Sequence, residues 1–155
     1  MKETLDFARD VLIKPFEGLA RRRPDGLIEA YPDPGSGGAP RTIGYGSTGP
    51  EIKQGTVWTM QQAQDALDAH MQYFMQGLLQ RSPRLVSEPP RRIAAVLSWV
   101  YNCGFGNYRI STFKKRIDAG DWEGAASECL KWNKASGRVL PGLTRRRAAE
   151  AAFLR

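Results

Sequence analysis

Phe16-Glu17-Gly18-Leu19, Ala30-Tyr31-Pro32-Asp33 and Thr42-Ile43-Gly44-Tyr45-Gly46 follow one another within residues 16–46. An acid, a second acid and a hydroxyl stand in order, set between glycines and aromatics. The texture of the chain also changes here. Upstream, Leu5, Ala8, Val11 and Leu12 recur at helical spacing from Thr4 to about Lys14. Pro15 removes a backbone donor, so the helix is expected to bend or end there. Glu17 would then sit at a helix terminus, where a side chain can face a cleft. Downstream, Pro24-Asp25-Gly26 signals a turn, and Leu27 to Tyr31 reads as a strand. Pro34-Gly35-Ser36-Gly37-Gly38 reads as a loop and Arg41 to Tyr45 as a second strand. The expectation is a small antiparallel sheet bearing Asp33 and Thr42 near its turn.

Beyond Gly55 the pattern is helical almost to the end. Thr59-Met60-Gln61-Gln62 resembles a capping box, opening a helix to about Leu79 with Ala63, Ala66, Leu67, His70, Met71, Phe74 and Leu78 along one side. Ser87-Glu88-Pro89-Pro90 starts another helix. Ile93, Ala94, Val96, Leu97, Val100 and Tyr101 make that helix apolar on most faces, so it is expected at the centre of the core. Gly104 and Gly106 are expected to end it. Ser111 should cap a short helix closing at Gly120. Asp121 should cap the next, with Trp122, Ala125, Ala126, Cys129 and Leu130 inward, and Thr144 the last. The fold class is α+β and mostly helical. A sheet lobe of about 18–58, a long connecting helix and a helical lobe of about 80–155 with the N-terminal helix would form a single domain, 1–155, with a cleft between lobes.

The chain is long enough to bury a core without staples. No apolar run is long enough to span a bilayer, and the acidic N-terminus does not read as a secretory signal. The formal charge of +7 is concentrated in Arg21-Arg22-Arg23, Arg91-Arg92, Lys114-Lys115-Arg116 and Arg145-Arg146-Arg147. Such a field attracts polyanions, whether nucleic acid, anionic lipid or an anionic wall. Each cluster taken alone is a solvated helix face. No helix-turn-helix or RNA-binding signature points to specific nucleic acid. Cys103 and Cys129 lack metal spacing and read as small buried hydrophobes. A single histidine, His70, speaks against Ser/His or Cys/His catalysis and against zinc, and no metal is expected.

Two carboxylates beside a cleft are the minimum equipment for breaking a glycosidic bond. One donates a proton to the leaving oxygen; the other directs water or stabilises the developing cation. Glu17 fits the acid, provided apolar neighbours such as Phe16 or Tyr101 let it keep its proton. Asp33, in a polar loop, fits the second carboxylate, and the Thr42 hydroxyl could hold the water. Singly, these residues are a helix-end glutamate, a turn aspartate and a strand threonine; the ordered set carries the catalytic reading. Asp25 competes with Asp33, which the Tyr-x-Asp context favours. Tyr101, Asn102 and Ser111 are candidate sugar contacts, and equally a core ring, a helix-end residue and an N-cap. Most of Trp58, Trp99, Trp122 and Trp132 should be core. The cluster at 145–147 should partly face the wall and partly brace the last helix.

The three opening motifs resemble the active-site region of the phage-type lysozymes, or endolysins. Asn102-Cys103-Gly104-Phe105-Gly106 and Ser111-Thr112-Phe113 resemble the turn and cap after that family's core helix. Lys131-Trp132-Asn133-Lys134-Ala135-Ser136-Gly137 and Pro141-Gly142-Leu143-Thr144-Arg145-Arg146-Arg147-Ala148-Ala149-Glu150 resemble its C-terminal signature. The resemblance covers nearly the whole chain in family order. It implies a lysozyme-like two-lobed fold and an N-acetylmuramidase that hydrolyses peptidoglycan, with Glu17, Asp33 and Thr42 in the roles above and inversion favoured. It implies a monomer without cofactor, held in the producing cytoplasm until released to the wall, causing lysis. Residues 21–26 and 34–40 look longer than in the family, and Ser47 stands where the family often has histidine. A lytic transglycosylase on the same glycan and an inactive basic wall-binding or nucleic-acid-binding module are the alternatives.

Overall fold

The computed structural model describes residues 1–32 and 37–155. Asp33, Pro34, Gly35 and Ser36 lie outside the described residues. The chain divides into two compact units. One comprises Met1–Phe16 and Met71–Arg155, the other Glu17–His70.

The helical unit is built around α4 (Pro90–Ile110). Every residue from Ile93 to Val100 is buried, so this helix is apolar all round as its sequence demanded. It packs against α1 (Lys2–Phe7), the π-helical turn Ala8–Ile13 and α7 (Pro141–Leu154). α5 (Thr112–Ala119) and α6 (Trp122–Leu130) close the unit, α6 lying on both α5 and α7. Trp99 is fully buried, with ring centroids 4.7 Å from Phe113, 5.0 Å from Trp132 and 6.0 Å from Tyr108.

The N-terminal helix does not stop at Pro15. It continues as α2 (Lys14–Glu17) because the preceding turn widens. The Lys14 N–H reaches back five residues to the Arg9 carbonyl, and this wider turn makes room for a ring that would collide with the carbonyl four residues back. Glu17 is still the helix terminus, as the sequence indicated.

The second unit carries short strands rather than one sheet. β1 (Ile28–Glu29) pairs with β4 (Val57–Trp58), and β2 (Thr42–Ile43) with β3 (Ser47–Thr48), both antiparallel. Two backbone bonds between Tyr31 and Thr42, of 2.9 and 3.0 Å, join the two predicted strand regions. Ile28, Ile43, Tyr45, Ile52, Ala63 and Leu67 are its buried hydrophobic residues.

α3 (Met60–Arg81) opens with the expected reciprocal cap. The Gln62 N–H donates to Thr59 Oγ1 at 3.1 Å and the Thr59 N–H to Gln62 Oε1 at 2.8 Å. The inward side of α3 is Ala63, Leu67, Met71, Met75 and Leu78. Ala66, His70 and Phe74 are half-buried, a slight rotation from the sequence reading.

Four further expectations are corrected. Gly104 breaks the core helix as expected, with φ 83° and ψ 162°, but a second helical stretch follows at once and carries α4 through Gly106 to Ile110. Phe105 anchors that second stretch: it fills the space a Cβ on Gly77 would need, and the Arg81 guanidinium stacks 4.0 Å from its ring. A third hairpin, β5 (Lys134–Ala135) with β6 (Arg138–Val139), lies where the pattern suggested no strand. Its turn residues Ser136 and Gly137 both have positive φ, which suits the twist of a tight hairpin. Thr144 is not the cap of α7; Pro141 begins that helix, and Thr144 sits inside its first turn, its hydroxyl donating to the Leu140 carbonyl at 3.2 Å. Leu130 is exposed rather than inward, one residue past the buried Cys129.

Ser111 and Asp121 do cap, accepting from Lys114 N–H at 3.0 Å and Gly124 N–H at 2.9 Å, and Gly120 ends α5 in the left-handed region. No helix of the described residues is long and apolar enough to cross a membrane.

Candidate active site

Glu17 is the last residue of α2, half-buried, and Gly18 leaves the helix with φ 68°. The β2–β3 hairpin reaches the same carboxylate. Its turn, Gly44-Tyr45-Gly46, has φ 65° at Gly44 and 89° at Gly46, backbone that favours glycine. A Cβ on Gly44 would lie 3.1 Å from the Ala63 Cβ, so the turn rests directly on α3. A Cβ on Gly46 would lie 3.4 Å from Glu17 Oε2. The glycines of Thr42-Ile43-Gly44-Tyr45-Gly46 therefore make a turn that approaches the carboxylate with bare backbone.

Thr42 opens β2, half-buried, opposite Thr48 and bonded through its backbone to Tyr31. The chain leaves Tyr31 toward Asp33, which lies outside the described residues. Ser47 is buried in β3. Asp25, the competing acid, is engaged in closing its turn. Its Oδ1 accepts from the Leu27 N–H at 3.0 Å, and its Oδ2 pairs with Arg23 Nη2 at 3.0 Å.

The candidate sugar contacts belong to the helical unit. Tyr101 is half-buried with its ring 5.4 Å from Phe74. Asn102 is exposed. Ser111 is buried, and its hydroxyl donates to the Tyr108 carbonyl at 2.7 Å while accepting from Lys114, so both bonds serve the helix junction.

A buried charged network lies under this segment and was not read from the sequence. Glu150 is completely buried; its Oε1 is 3.3 Å from Arg146 Nε and accepts from the Ser98 hydroxyl at 2.6 Å. Its Oε2 is 3.1 Å from Arg147 Nε. Burial pushes the Glu150 carboxyl up, opposed by the two guanidiniums and the serine. Arg147, also completely buried, extends its other nitrogens to Asn102 Oδ1 at 2.7 Å and Cys103 Sγ at 3.0 Å. The available signal was the spacing: Glu150 follows Arg147 by three residues and Arg146 by four, which puts all three on one helix face with Ala151 and Leu154. Arg145 is the exposed member of the cluster.

The phage lysozyme family matches residues 14–150, and the chain belongs to that family. The chain is 36% identical over 142 residues, 92% of its length, to an endolysin of Bacillus phage PZA, spanning 51% of that protein. Thus it spans about half the length of the first of these relatives. It is 34% identical over 147 residues to an endolysin of Acyrthosiphon pisum secondary endosymbiont phage 1, covering 92% of both chains. Among solved structures, the endolysin from Escherichia coli O157:H7 phage FAHEc1 superposes with a TM-score of 0.75 at 31% identity, covering 99% of this chain and 91% of that one. The mostly helical α+β fold with small antiparallel sheets is that of the phage lysozymes.

Proposed function

We propose that this chain is an endolysin-type muramidase that hydrolyses the β-1,4 bond between N-acetylmuramic acid and N-acetylglucosamine in bacterial peptidoglycan. Glu17 is the general acid. Asp33 directs the attacking water or stabilises the oxocarbenium-like state, and Thr42 holds that water. The observation that carries the reading is the glycine turn at Gly46 against the Glu17 carboxylate, in a chain whose family match runs from residue 14 to residue 150. Bare backbone beside an acid leaves room for a sugar oxygen to approach it. Tyr101 and Asn102 would contact the glycan, and the positive formal charge favours an anionic wall. Release of the protein to that wall would complete lysis of the host cell.

The test is digestion of purified peptidoglycan with the fragments read by mass spectrometry. Reducing-end muramic acid products are expected. Glu17→Gln should retain wall binding and lose at least about a hundredfold in rate, the usual contribution of general acid catalysis. Asp33→Ala should lose the same products. Anhydro-muramic products surviving Asp33→Ala would instead identify a transglycosylase with Glu17 acting alone, and full lysis by Glu17→Gln would overturn its assignment.

A further inference from the structure

The β2–β3 hairpin has two ends, and its turn end is the one that meets Glu17. At the open end, past Thr42 and Thr48, lies a surface cavity of about 750 Å³. Ala39, Pro40, Pro50 and Ile52 give it apolar walls, and Arg41 and Lys53 bring two cations to its lining. A volume in this range suits a small ligand or a few residues of peptide. The wall from 49 to 56 is held by its own turns. The Ile52 N–H donates to the Gly49 carbonyl at 3.0 Å, the Thr56 N–H to the Lys53 carbonyl at 3.1 Å, and the Lys53 N–H to Thr56 Oγ1 at 2.9 Å. Charge narrows the occupant. Glu51 is the only acid between residues 37 and 58. It does not line the cavity, and its carboxylate folds back on Gly49, where a Cβ would lie 2.5 Å from Oε1. Among the described residues, neither Arg41 nor Lys53 forms an ion pair.

We propose that this cavity binds a carboxylate-bearing peptide: the stem peptide carried by the muramic acid of the wall glycan. The proposal rests on the muramidase reading above. Stem peptides are short and combine alanine methyls with free carboxylates. The methyls suit the apolar walls and the carboxylates suit Arg41 and Lys53. The Thr48 hydroxyl and the Gln54 amide, also in the lining, can pair with peptide groups. A phosphate polymer would use the cations and leave the apolar walls unfilled. The reach is adequate, because the cavity and Glu17 belong to the same compact unit. Gly46, beside the Glu17 carboxylate, is two residues from Thr48, about 7 Å along an extended strand. Three residues of extended peptide span about 10 Å, so a stem leaving a muramic ring at Glu17 can enter the cavity.

The first test adds a synthetic stem tetrapeptide, free of sugar, to the protein and follows backbone NMR shifts. Shifts are expected at Arg41, Thr48, Ile52 and Lys53, weakening as salt rises. Lys53→Glu and Arg41→Gln, both surface changes, should each reduce them. The second test compares soluble glycan oligomers with and without their stems. Removing the stems should raise KM of the unaltered protein about tenfold and that of Lys53→Glu by less than about twofold. On stem-free oligomers the two proteins should share one kcat. Peptide shifts that fall elsewhere, the same shifts produced by stem-free glycan, or an equal stem dependence in Lys53→Glu would overturn the proposal. Peptide binding at these residues without cleavage of any glycan would overturn the muramidase reading instead.

Discussion

Gly46 is the residue on which the candidate site turns. Its φ of 89° is strained for any side chain, and the Cβ of an alanine would stand 3.4 Å from Glu17 Oε2. Gly46→Ala should therefore cost about 1–2 kcal/mol of stability through the backbone. It should also crowd the carboxylate, so hydrolysis should fall further than the thermal midpoint accounts for. Rate and melting temperature measured together check this; an activity loss no larger than the lost folded fraction would count against Gly46 as part of the site. The helix end at Glu17 and the glycine turn after Thr42 were legible because their residue types are unusual together: an acid, glycines and aromatics in a fixed order. Arg147 was not legible. Within Arg145-Arg146-Arg147 all three side chains look alike, and only the phase of α7 against Glu150, Ala151 and Leu154 turns two of them inward.

At the scale of the element, the caps are the surest part of the sequence reading. Thr59, Ser111 and Asp121 each accept a backbone N–H at the head of a helix, as their positions indicated. Alanine at any one of them should cost about 1 kcal/mol, a fall of about 2–4 °C in melting temperature for a domain of this size. Thr144→Ala should cost less, because Pro141 already starts α7 and the Thr144 hydroxyl serves a carbonyl within the turn. Calorimetry on the four variants checks the order; an equal loss at Thr144 would restore it as a cap. Periodicity located the helices well and failed where backbone geometry decides. The widened turn before Pro15, the resumption of α4 after Gly104 and the hairpin at 134–139 depend on single dihedrals rather than on hydrophobic spacing. The two strand regions at 27–31 and 41–45 were legible, but their partners β4 and β3 were not, because each strand is two residues long and alternation has no room to declare a partner.

At the scale of the whole molecule, the two cysteines report on opening of the fold. Cys129 is buried, and desolvation together with the nearby Glu150 carboxylate pushes its thiol well up; desolvation raises Cys103 as well, against the pull of Arg147. A thiol raised in the folded state favours folding while protonated. That contribution is complete below the unfolded thiol value and is lost as pH rises through the folded one. At pH 8 neither sulfur should react readily with an aromatic disulfide reagent, and both should react once denaturant is added. Rapid reaction of Cys129 in the native protein would show that the core around Glu150 opens without global unfolding. The buried Trp99 has an optical consequence. Its indole is fully buried among aromatic rings, its N–H without an acceptor among the described residues, so it should fluoresce at short wavelength. Trp58 is the sole tryptophan of residues 17–70, so a Trp58→Phe variant leaves emission from the helical unit alone, and its difference from the unaltered chain follows the other unit as the chain melts.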